Sequence, residues 1–230
     1  MTRPAKSRIG GIRRAIFHRH VYDAMIATNL DFTFDRSLQL GDRISVEERI
    51  KHVLPRKATE FCDGHFVTSV NHYTASIGGP VASVGVRVLY CRAAPRDLLA
   101  LQPDRSPLPD RATNRTPDAT IAITPTLIVT YVLAGYDYAS VHHDYRPAHA
   151  RGQPDIITNI SITAGLIARE VVGVVARGSS RRALSLRLGT SNFLGDRLHL
   201  HSSPSGESRL RRQNGLGGYG RAITLLGDPA

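Results

Sequence analysis

Residues 135–144, with the sequence GYDYASVHHD, combine two kinds of side chain that can move protons. Asp137 and His142 lie five residues apart in this polar stretch. A carboxylate can orient a water molecule, and an imidazole can exchange a proton near neutral pH. Held together, the two could activate water for addition to an electrophile. The residue types leave open which of the two transfers the proton.

Two apolar segments flank this stretch and would have to position it. The run TLIVTYVLAG leads into it, and DIITNISITAGLIAREVVGVV follows it. The second run is apolar nearly all round, which is typical of a buried helix. The sequence therefore predicts a polar loop held between two buried segments, a common setting for catalytic residues.

Other interpretations of the same residues are available. An Asp and a His ahead of a helix often form only a helix cap and a surface hydrogen bond. The neighbouring His143 is expected to be structural or to face solvent. A metal site formed by His142, His143, Asp144 and His149 is not predicted, because their spacing fits no standard zinc pattern.

The residues around the loop resemble the MaoC-like group of hot-dog proteins, the R-specific enoyl-CoA hydratases. Asp137 and His142 fall on the Asp and His of that group's D-x-N-P-x-H loop, and Gly152, Pro154 and the TAGL of residues 163–166 match its next landmarks. More narrowly, PTLIV, DYxxVHHD, ARGxxDIxxNI, RLG and GD are similar to actinobacterial hydratases that act on steroid side-chain enoyl-CoA thioesters.

Four positions depart from the pattern of that group. Ala139 and Ser140 replace its Asn-Pro, and Ile160 replaces the Gly of its usual His-Gly pair. Tyr136 precedes the Asp where relatives of the steroid branch tend to carry Arg. Because fold and function are separable, the resemblance transfers the fold more directly than the substrate.

The resemblance implies a role for each site residue. Asp137 and His142 would be catalytic, and the backbone N–H of Ile160 would polarise the thioester carbonyl at a helix N-terminus. Further substrate contacts are expected from Asn159, Tyr136 and Tyr138. The implied function is hydration of an enoyl thioester, or the reverse dehydration, on a bulky acyl-CoA or acyl carrier protein. No redox cofactor or metal is implied, since coenzyme A or phosphopantetheine serves as the substrate handle.

Two other functions are weighed against this one. The altered loop over residues 136–140 favours a repurposed hot-dog cyclase or isomerase of polyketide or terpenoid metabolism, in which the same Asp and His move protons without net hydration. The third is a non-catalytic acyl-binding or subunit-partner protein, and the presence of both Asp137 and His142 argues against it. The chain is expected to form a homodimer.

Composition restricts the partners. The 230 residues carry a net charge of +11, which suits phosphate-bearing ligands such as coenzyme A. The basic residues are scattered and aromatic residues make up 6%, so nucleic acid is not expected. No apolar run reaches 18 residues, which predicts a soluble, cytoplasmic protein without a membrane segment. Cys62 and Cys91 are accordingly expected to be reduced thiols.

The chain divides into four parts. Residues 1–30 form an N-terminal segment in which 16–26 could be a short amphipathic helix. Residues 31–96 alternate like strands and form the N-terminal hot-dog-like half. Residues 97–118 have the composition of a linker, and residues 119–230 form the MaoC-like half. The expected fold is α+β: a double hot-dog with an antiparallel sheet wrapped on a central helix, and an N-terminal half whose helix is shortened or missing.

Overall fold

The computed structural model describes residues 22, 24–59, 62–93, 119–175, 181–188, 191–202, 207–212 and 220–226. The proposed linker, residues 97–118, and most of the N-terminal segment lie outside them. Within the described residues, no helix is both long and apolar enough to cross a membrane.

One continuous antiparallel sheet of ten strands runs through the described parts of both halves. Its order is β2-β4-β5-β1-β7-β10-β9-β8-β6, with β3 paired to β4. The strands are β1 (Ala24–Phe34), β2 (Ile44–Val53), β3 (Lys57–Ala58), β4 (Cys62–Ala75), β5 (Gly79–Ala93), β6 (Ala119–Ala122), β7 (Arg181–Arg187), β8 (Arg197–Ser202), β9 (Glu207–Arg212) and β10 (Gly220–Leu226).

The C-terminal half adds the helices. Among the described residues they are α1 (Pro125–Ala134), α2 (Tyr145–Ala150) and α3 (Ile160–Val175), with a 3-10 turn at Ser140–His142. Helix α3 lies on β8, β9 and β10 and contacts α1. The apolar run that starts at residue 155, predicted to be a buried helix, becomes helical only at Ile160. The residues before it are irregular, with a bend at Asp155 and an isolated bridge between Ile157 and Phe193. The expected α+β hot-dog architecture is confirmed.

The two halves join where β1 pairs with β7, from Asn29 opposite Arg187 to Thr33 opposite Ala183. Leu184 and Leu186 face inward from β7, as their alternation predicts, and lie in one buried cluster with Leu30 of β1 and Leu166 of α3. The core thus passes from the C-terminal helix onto the first strand of the N-terminal half, which makes the two halves one packing unit.

The N-terminal half consists of strands and turns over residues 24–59 and 62–93. Its first strand begins at Ala24, so the helix expected over residues 16–26 is wrong for the three residues 24–26. Ladder pairing to β5 decides the conformation there, because Ala24 and Ile26 pack on Leu89 and Cys91. Sheet packing routinely overrides weak local helical periodicity.

Cys62 and Cys91 form a disulfide, so the expectation of reduced thiols is wrong. The two residues lie on neighbouring strands, β4 and β5, with their Cα atoms 5.8 Å apart, and both are buried. Opposite Cys91 on the ladder stands Gly64. A Cβ atom at Gly64 would overlap Cys91 and the Tyr90 carbonyl oxygen, so this close approach requires glycine.

A charged pair closes the turn between β1 and β2. Arg36 donates two hydrogen bonds to the Asp42 carboxylate, at 2.8 and 3.2 Å, and Asp42 also accepts from the Gln39 N–H. These hydrogen bonds, chiefly those from Arg36, lower the pKa of Asp42 below its ordinary value. Gly41 supplies the positive φ, 96°, that the turn needs.

Candidate functional site

Asp137 is positioned by the C-terminus of α1. The helix ends at Gly135 in a Schellman motif, in which the Tyr136 N–H donates to Leu133 O and the Asp137 N–H donates to Val132 O, at 3.3 and 3.1 Å. The main chain of Asp137 is thereby tied to the last turn of the helix. Its carboxylate projects from a rigid element instead of a free loop.

Tyr136 occupies the left-handed position of this motif, with a φ of 53°. Glycine is the usual residue there, because a side chain costs about 1–2 kcal/mol in that conformation. Tyr136 is the one non-glycine residue with positive φ in the described part of the chain. It is also 79% exposed, so burial of its ring offers no visible compensation for the strain.

His142 closes the 3-10 turn and is buried. Its Nδ1 lies 2.8 Å from Ile157 O. Because a carbonyl oxygen can only accept, Nδ1 must carry the hydrogen, and a neutral imidazole then presents a lone pair at Nε2. The Ile157 N–H in turn donates to Val141 O at 3.1 Å, which fixes the turn against the segment that leads into α3.

Asn159 links the helix to the carboxylate. Its Oδ1 accepts from the Ile162 N–H at 2.9 Å, the N-cap interaction of α3, and its Nδ2 donates to Asp137 Oδ2 at 3.1 Å. Since the backbone N–H requires an oxygen acceptor, this bond fixes the orientation of the amide. The buried Asn159 therefore holds Asp137 at the N-terminus of α3.

These contacts bring Asp137 and His142 together. Asp137 Oδ2 lies 3.5 Å from His142 Nε2, with the two side chains 41% and 10% exposed. With the hydrogen on Nδ1, two acceptors face each other across this distance. Such an arrangement suits a molecule that donates two hydrogen bonds, as water does, or a proton that charges the imidazole. The carboxylate is open to solvent and the imidazole is not.

The beginning of α3 lies next to this pair. Ile160 and Ser161 are its first two residues, and the first N–H groups of a helix have no carbonyl partner within it. They carry the positive end of the helix dipole. Ile160 is partly buried, and its N–H is the group assigned to the thioester carbonyl from the sequence. A backbone amide donates whatever its side chain is.

Tyr136 and Tyr138 flank Asp137 in the sequence. Their rings pack edge to face, with centroids 6.2 Å apart and planes at 89°. Both side chains are largely exposed. They form an exposed aromatic pair, and neither belongs to the apolar core cluster of the described residues.

The three remaining polar candidates have structural roles or face solvent. His143 is exposed, Asp144 caps α2 by accepting from the Arg146 N–H, and His149 bonds to Pro154 O. Among the described residues, no three His, Cys, Asp or Glu side chains are grouped closely enough to hold a metal ion.

Two features of the site were not foreseen from the sequence. The Ile157 carbonyl fixes the His142 tautomer, and a main-chain acceptor leaves no trace in residue type. The strained backbone of Tyr136 also has no signal in residue type, since glycine usually occupies that left-handed position and the glycine here, Gly135, stands one residue earlier. Asn159 is expected to donate toward the substrate. Its Oδ1 and one N–H of its Nδ2 are engaged within the protein, and since an amide nitrogen has a second N–H, that role stays a prediction.

Comparison with known proteins finds related sequences for part of the chain and solved structures with a similar fold for most of it. No family model matches. A probable enoyl-CoA hydratase alpha subunit of Thermomonospora curvata is 37% identical over 71 residues, which are 31% of this chain and 22% of that protein. The 3-oxo-4,17-pregnadiene-20-carboxyl-CoA hydratase beta subunit of Mycobacterium tuberculosis is 40% identical over 65 residues, 28% of this chain and 50% of that one.

Among solved structures, a MaoC-like dehydratase from Phytophthora capsici superposes with a TM-score of 0.63 at 16% identity, over 88% of this chain and 72% of its own. Likeness at that identity shows the fold alone. The chain matches half or less of the length of the two curated relatives.

Proposed function

We propose that this chain, which has the fold of the MaoC-like hot-dog proteins and a confirmed resemblance to their enoyl-CoA hydratases, is a hydro-lyase. The reaction is the addition of water to the double bond of an enoyl thioester, or its reversal. Relatives named as enoyl-CoA hydratase subunits support this class of reaction. The observation that carries it is the pair of facing acceptors, Asp137 Oδ2 and His142 Nε2, 3.5 Å apart beside the N-terminus of α3.

In the proposed mechanism one water donates to both acceptors. Its oxygen attacks the β-carbon of the enoyl group while one of its protons passes to Nε2 of His142. The resulting imidazolium is stabilised by Ile157 O on one side and by the Asp137 carboxylate on the other. It then gives its proton to the α-carbon, so that H and OH are added and the histidine is restored.

The negative charge of the intermediate falls on the thioester oxygen. We assign its stabilisation to the Ile160 N–H, aided by the dipole of the 16-residue helix α3. The isoleucine side chain narrows the space beside this donor without removing it. Tyr136 and Tyr138, the exposed pair that flanks Asp137 in the sequence, would contact the acyl group.

The proposed acyl group is bulky, carried on coenzyme A or an acyl carrier protein. Support comes from the N-terminal half, where the described residues contain strands and no helix to occupy the inner face. A polycyclic enoyl-CoA should then show a higher kcat/KM than a four-carbon one. Equal values, or a preference for the short acyl group, would remove the bulky substrate from the proposal and leave the reaction in place.

The mechanism requires no redox cofactor and no metal, so a chelator should leave turnover unchanged. A chain of net charge +11 should bind the phosphates of coenzyme A with a salt-dependent affinity, because exposed charges are screened over about 8 Å at physiological ionic strength. The same acyl group on N-acetylcysteamine, which has no phosphate, is the control and should show little salt dependence.

The test of the site is hydration of an enoyl thioester by wild type, Asp137→Asn, His142→Ala and the double variant. Each single change should lower kcat by about 10²–10⁴-fold. Residues that act as one unit lose most of their effect when either is removed, so the double variant should be little worse than the singles. Thermal melting controls for folding.

Single variants that melt normally and retain near wild-type hydration would place the chemistry elsewhere. Additive losses would indicate two independent roles instead of one shared water. If wild type hydrates no enoyl thioester, but both variants lose activity on a cyclisable substrate, the site stands and the reaction is that of a cyclase.

We further propose that the chain associates with itself as a homodimer. The curated relatives are named as alpha and beta subunits, which supports association of related chains. Light scattering behind size exclusion should give twice the mass of the 230-residue chain. A monomer that gains activity with a second, different subunit would replace the homodimer by a heteromeric assembly.

A further inference from the structure

A cleft of about 380 Å³ opens on the sheet where the two halves join. It lies on the face opposite α3. Val86 and Leu186 pack into the core that contains α3, and the next residue on each strand, Arg87 and Arg187, lines the cleft. Since successive side chains of a strand point to opposite faces, the cleft and the core are on different sides of the sheet.

Strand register places the two arginines in one row. Asn29 of β1 is paired with Arg87 of β5 on one side and with Arg187 of β7 on the other. Neighbouring strands lie about 4.8 Å apart, so the two backbones are separated by roughly 10 Å with Asn29 between them. Long arginine side chains can converge over that distance on one small group.

Arg87 has a polar atom without a partner. Its Nε is buried and makes no hydrogen bond, while its guanidinium stacks 4.6 Å from the centroid of the Phe66 ring. A buried N–H that gives up water without gaining an acceptor is unfavourable, and a ligand that supplies an acceptor would relieve that cost. The donor borders a cleft that is large enough to admit a ligand.

The charge of the cleft has one sign. Lys57 joins Arg87 and Arg187 along its wall, and none of the described lining residues is acidic. Like charges gathered in a concave site raise the local concentration of anions. An anion there would receive hydrogen bonds from two planar guanidinium groups, which match the oxygens of phosphate in pairs.

The cleft also has an apolar wall, formed by Phe66 and Leu54. Inorganic phosphate alone would leave this wall unused. We propose that the cleft binds an organic phosphate, with its charged group between Arg87 and Arg187 and its apolar part on Phe66 and Leu54. The site is distinct from the Asp137–His142 pair, because it lies across the sheet from α3, at whose N-terminus the pair is found.

Binding is tested by calorimetry on the full chain at low salt, with phenyl phosphate, inorganic phosphate and phenol as probes. Phenyl phosphate should bind most tightly, since it uses both walls. Arg187→Gln, at an exposed position, should weaken it about tenfold, the effect of one charged hydrogen bond. Arg49→Gln removes the same charge from an exposed arginine of β2 outside the cleft and should have no effect.

Two results would overturn the proposal. Equal weakening by Arg49→Gln and Arg187→Gln would mean that the overall positive charge, and not the cleft, attracts the anion. Binding of phenyl phosphate no tighter than that of phenol would remove the anion from the site.

The source of the phosphate is resolved by kinetics on the same variant. If the cleft takes the phosphates of coenzyme A, Arg187→Gln should raise KM for an enoyl-CoA and leave KM for the N-acetylcysteamine thioester unchanged. If neither KM changes while phenyl phosphate binding weakens, the ligand is a separate organic phosphate. The calorimetry does not depend on turnover, so absence of hydration would refute the proposed function without touching this site.

Discussion

The two halves of the chain contain the same kinds of polar residue, but use them differently. In the N-terminal half, Arg36 and Asp42 satisfy each other by a two-point contact with complementary charges. In the C-terminal half, Asp137 and His142 are each fixed by the main chain or by Asn159, and then present acceptors to one another. A satisfied pair is structural, whereas a rigid pair with unused hydrogen-bonding capacity is prepared for a substrate or a water.

The histidines make this contrast sharper. His65 of β4 resembles His142 in that its Nδ1 lies 2.9 Å from a main-chain carbonyl oxygen, that of Leu54. Its ring packs edge to face on Tyr22, with centroids 6.0 Å apart. In the described structure no carboxylate faces its second ring nitrogen in the way that Asp137 faces Nε2 of His142. The two histidines therefore do not differ in how the first ring nitrogen is fixed. They differ in the group that faces the second ring nitrogen.

The largest expected effect follows from this difference. His142→Ala should lower kcat for an enoyl thioester by about 10²–10⁴-fold, whereas His65→Ala and His72→Ala should leave it near the wild-type value. Steady-state hydration rates of the three variants, with melting temperatures as a control, make the comparison. A loss at His65 or His72 as large as that at His142 would end the division of labour between the halves.

The second prediction concerns the covalent link of the N-terminal half. Replacing both Cys62 and Cys91 by Ala should lower the free energy of unfolding by about 3 kcal/mol, because the disulfide closes a loop of 29 residues in the unfolded chain. Urea denaturation measures the change. The control is wild type with reductant, which should lose a similar amount. Equal stability with and without reductant would show that the link contributes nothing.

Much of the C-terminal half was predictable, because its information is local. The five-residue spacing of Asp137 and His142, the apolar run of α1 and the alternation of Leu184 and Leu186 each report on residues close in the chain. The periodicity of the apolar residues within each element was sufficient to predict that element.

What could not be predicted depends on register between distant strands. Gly64 faces Cys91 only because β4 and β5 pair as they do, and no cysteine spacing announces that contact. Likewise Arg87 and Arg187 are 100 residues apart in sequence and become neighbours through Asn29. The helix predicted for residues 24–26 is wrong for the same reason, since pairing with β5 makes these residues a strand.

The third prediction concerns the backbone strain at Tyr136 and whether the side chain that causes it also contacts substrate. Tyr136→Gly should stabilise the protein by up to about 1 kcal/mol, because glycine adopts a φ of 53° without a steric cost, although it also loses more entropy on folding. If the ring contacts substrate, kcat/KM should fall at the same time. Tyr138→Gly, at an ordinary φ, is the matched control and should be destabilising. A Tyr136→Gly protein that melts lower than wild type would refute the strain.

The smallest effect is expected at the turn of the N-terminal half. The pKa of Asp42 is lowered in the folded state, mainly by hydrogen bonds from Arg36, relative to the unfolded chain. A depressed carboxyl pKa adds stability that is present above the unfolded pKa, about 3.9, and is lost as pH falls through the folded value. Asp42→Asn should therefore lower the melting temperature at pH 7, with a difference from wild type that shrinks as pH drops below about 4.

The Arg36–Asp42 pair is at the surface, so the change in melting temperature should be small and should be weaker still in high salt. Asp35→Asn, one residue before Arg36, controls for net charge. Activity of Asp42→Asn at pH 7 should equal that of wild type, and a loss of turnover at unchanged stability would mean that this turn, too, communicates with the site.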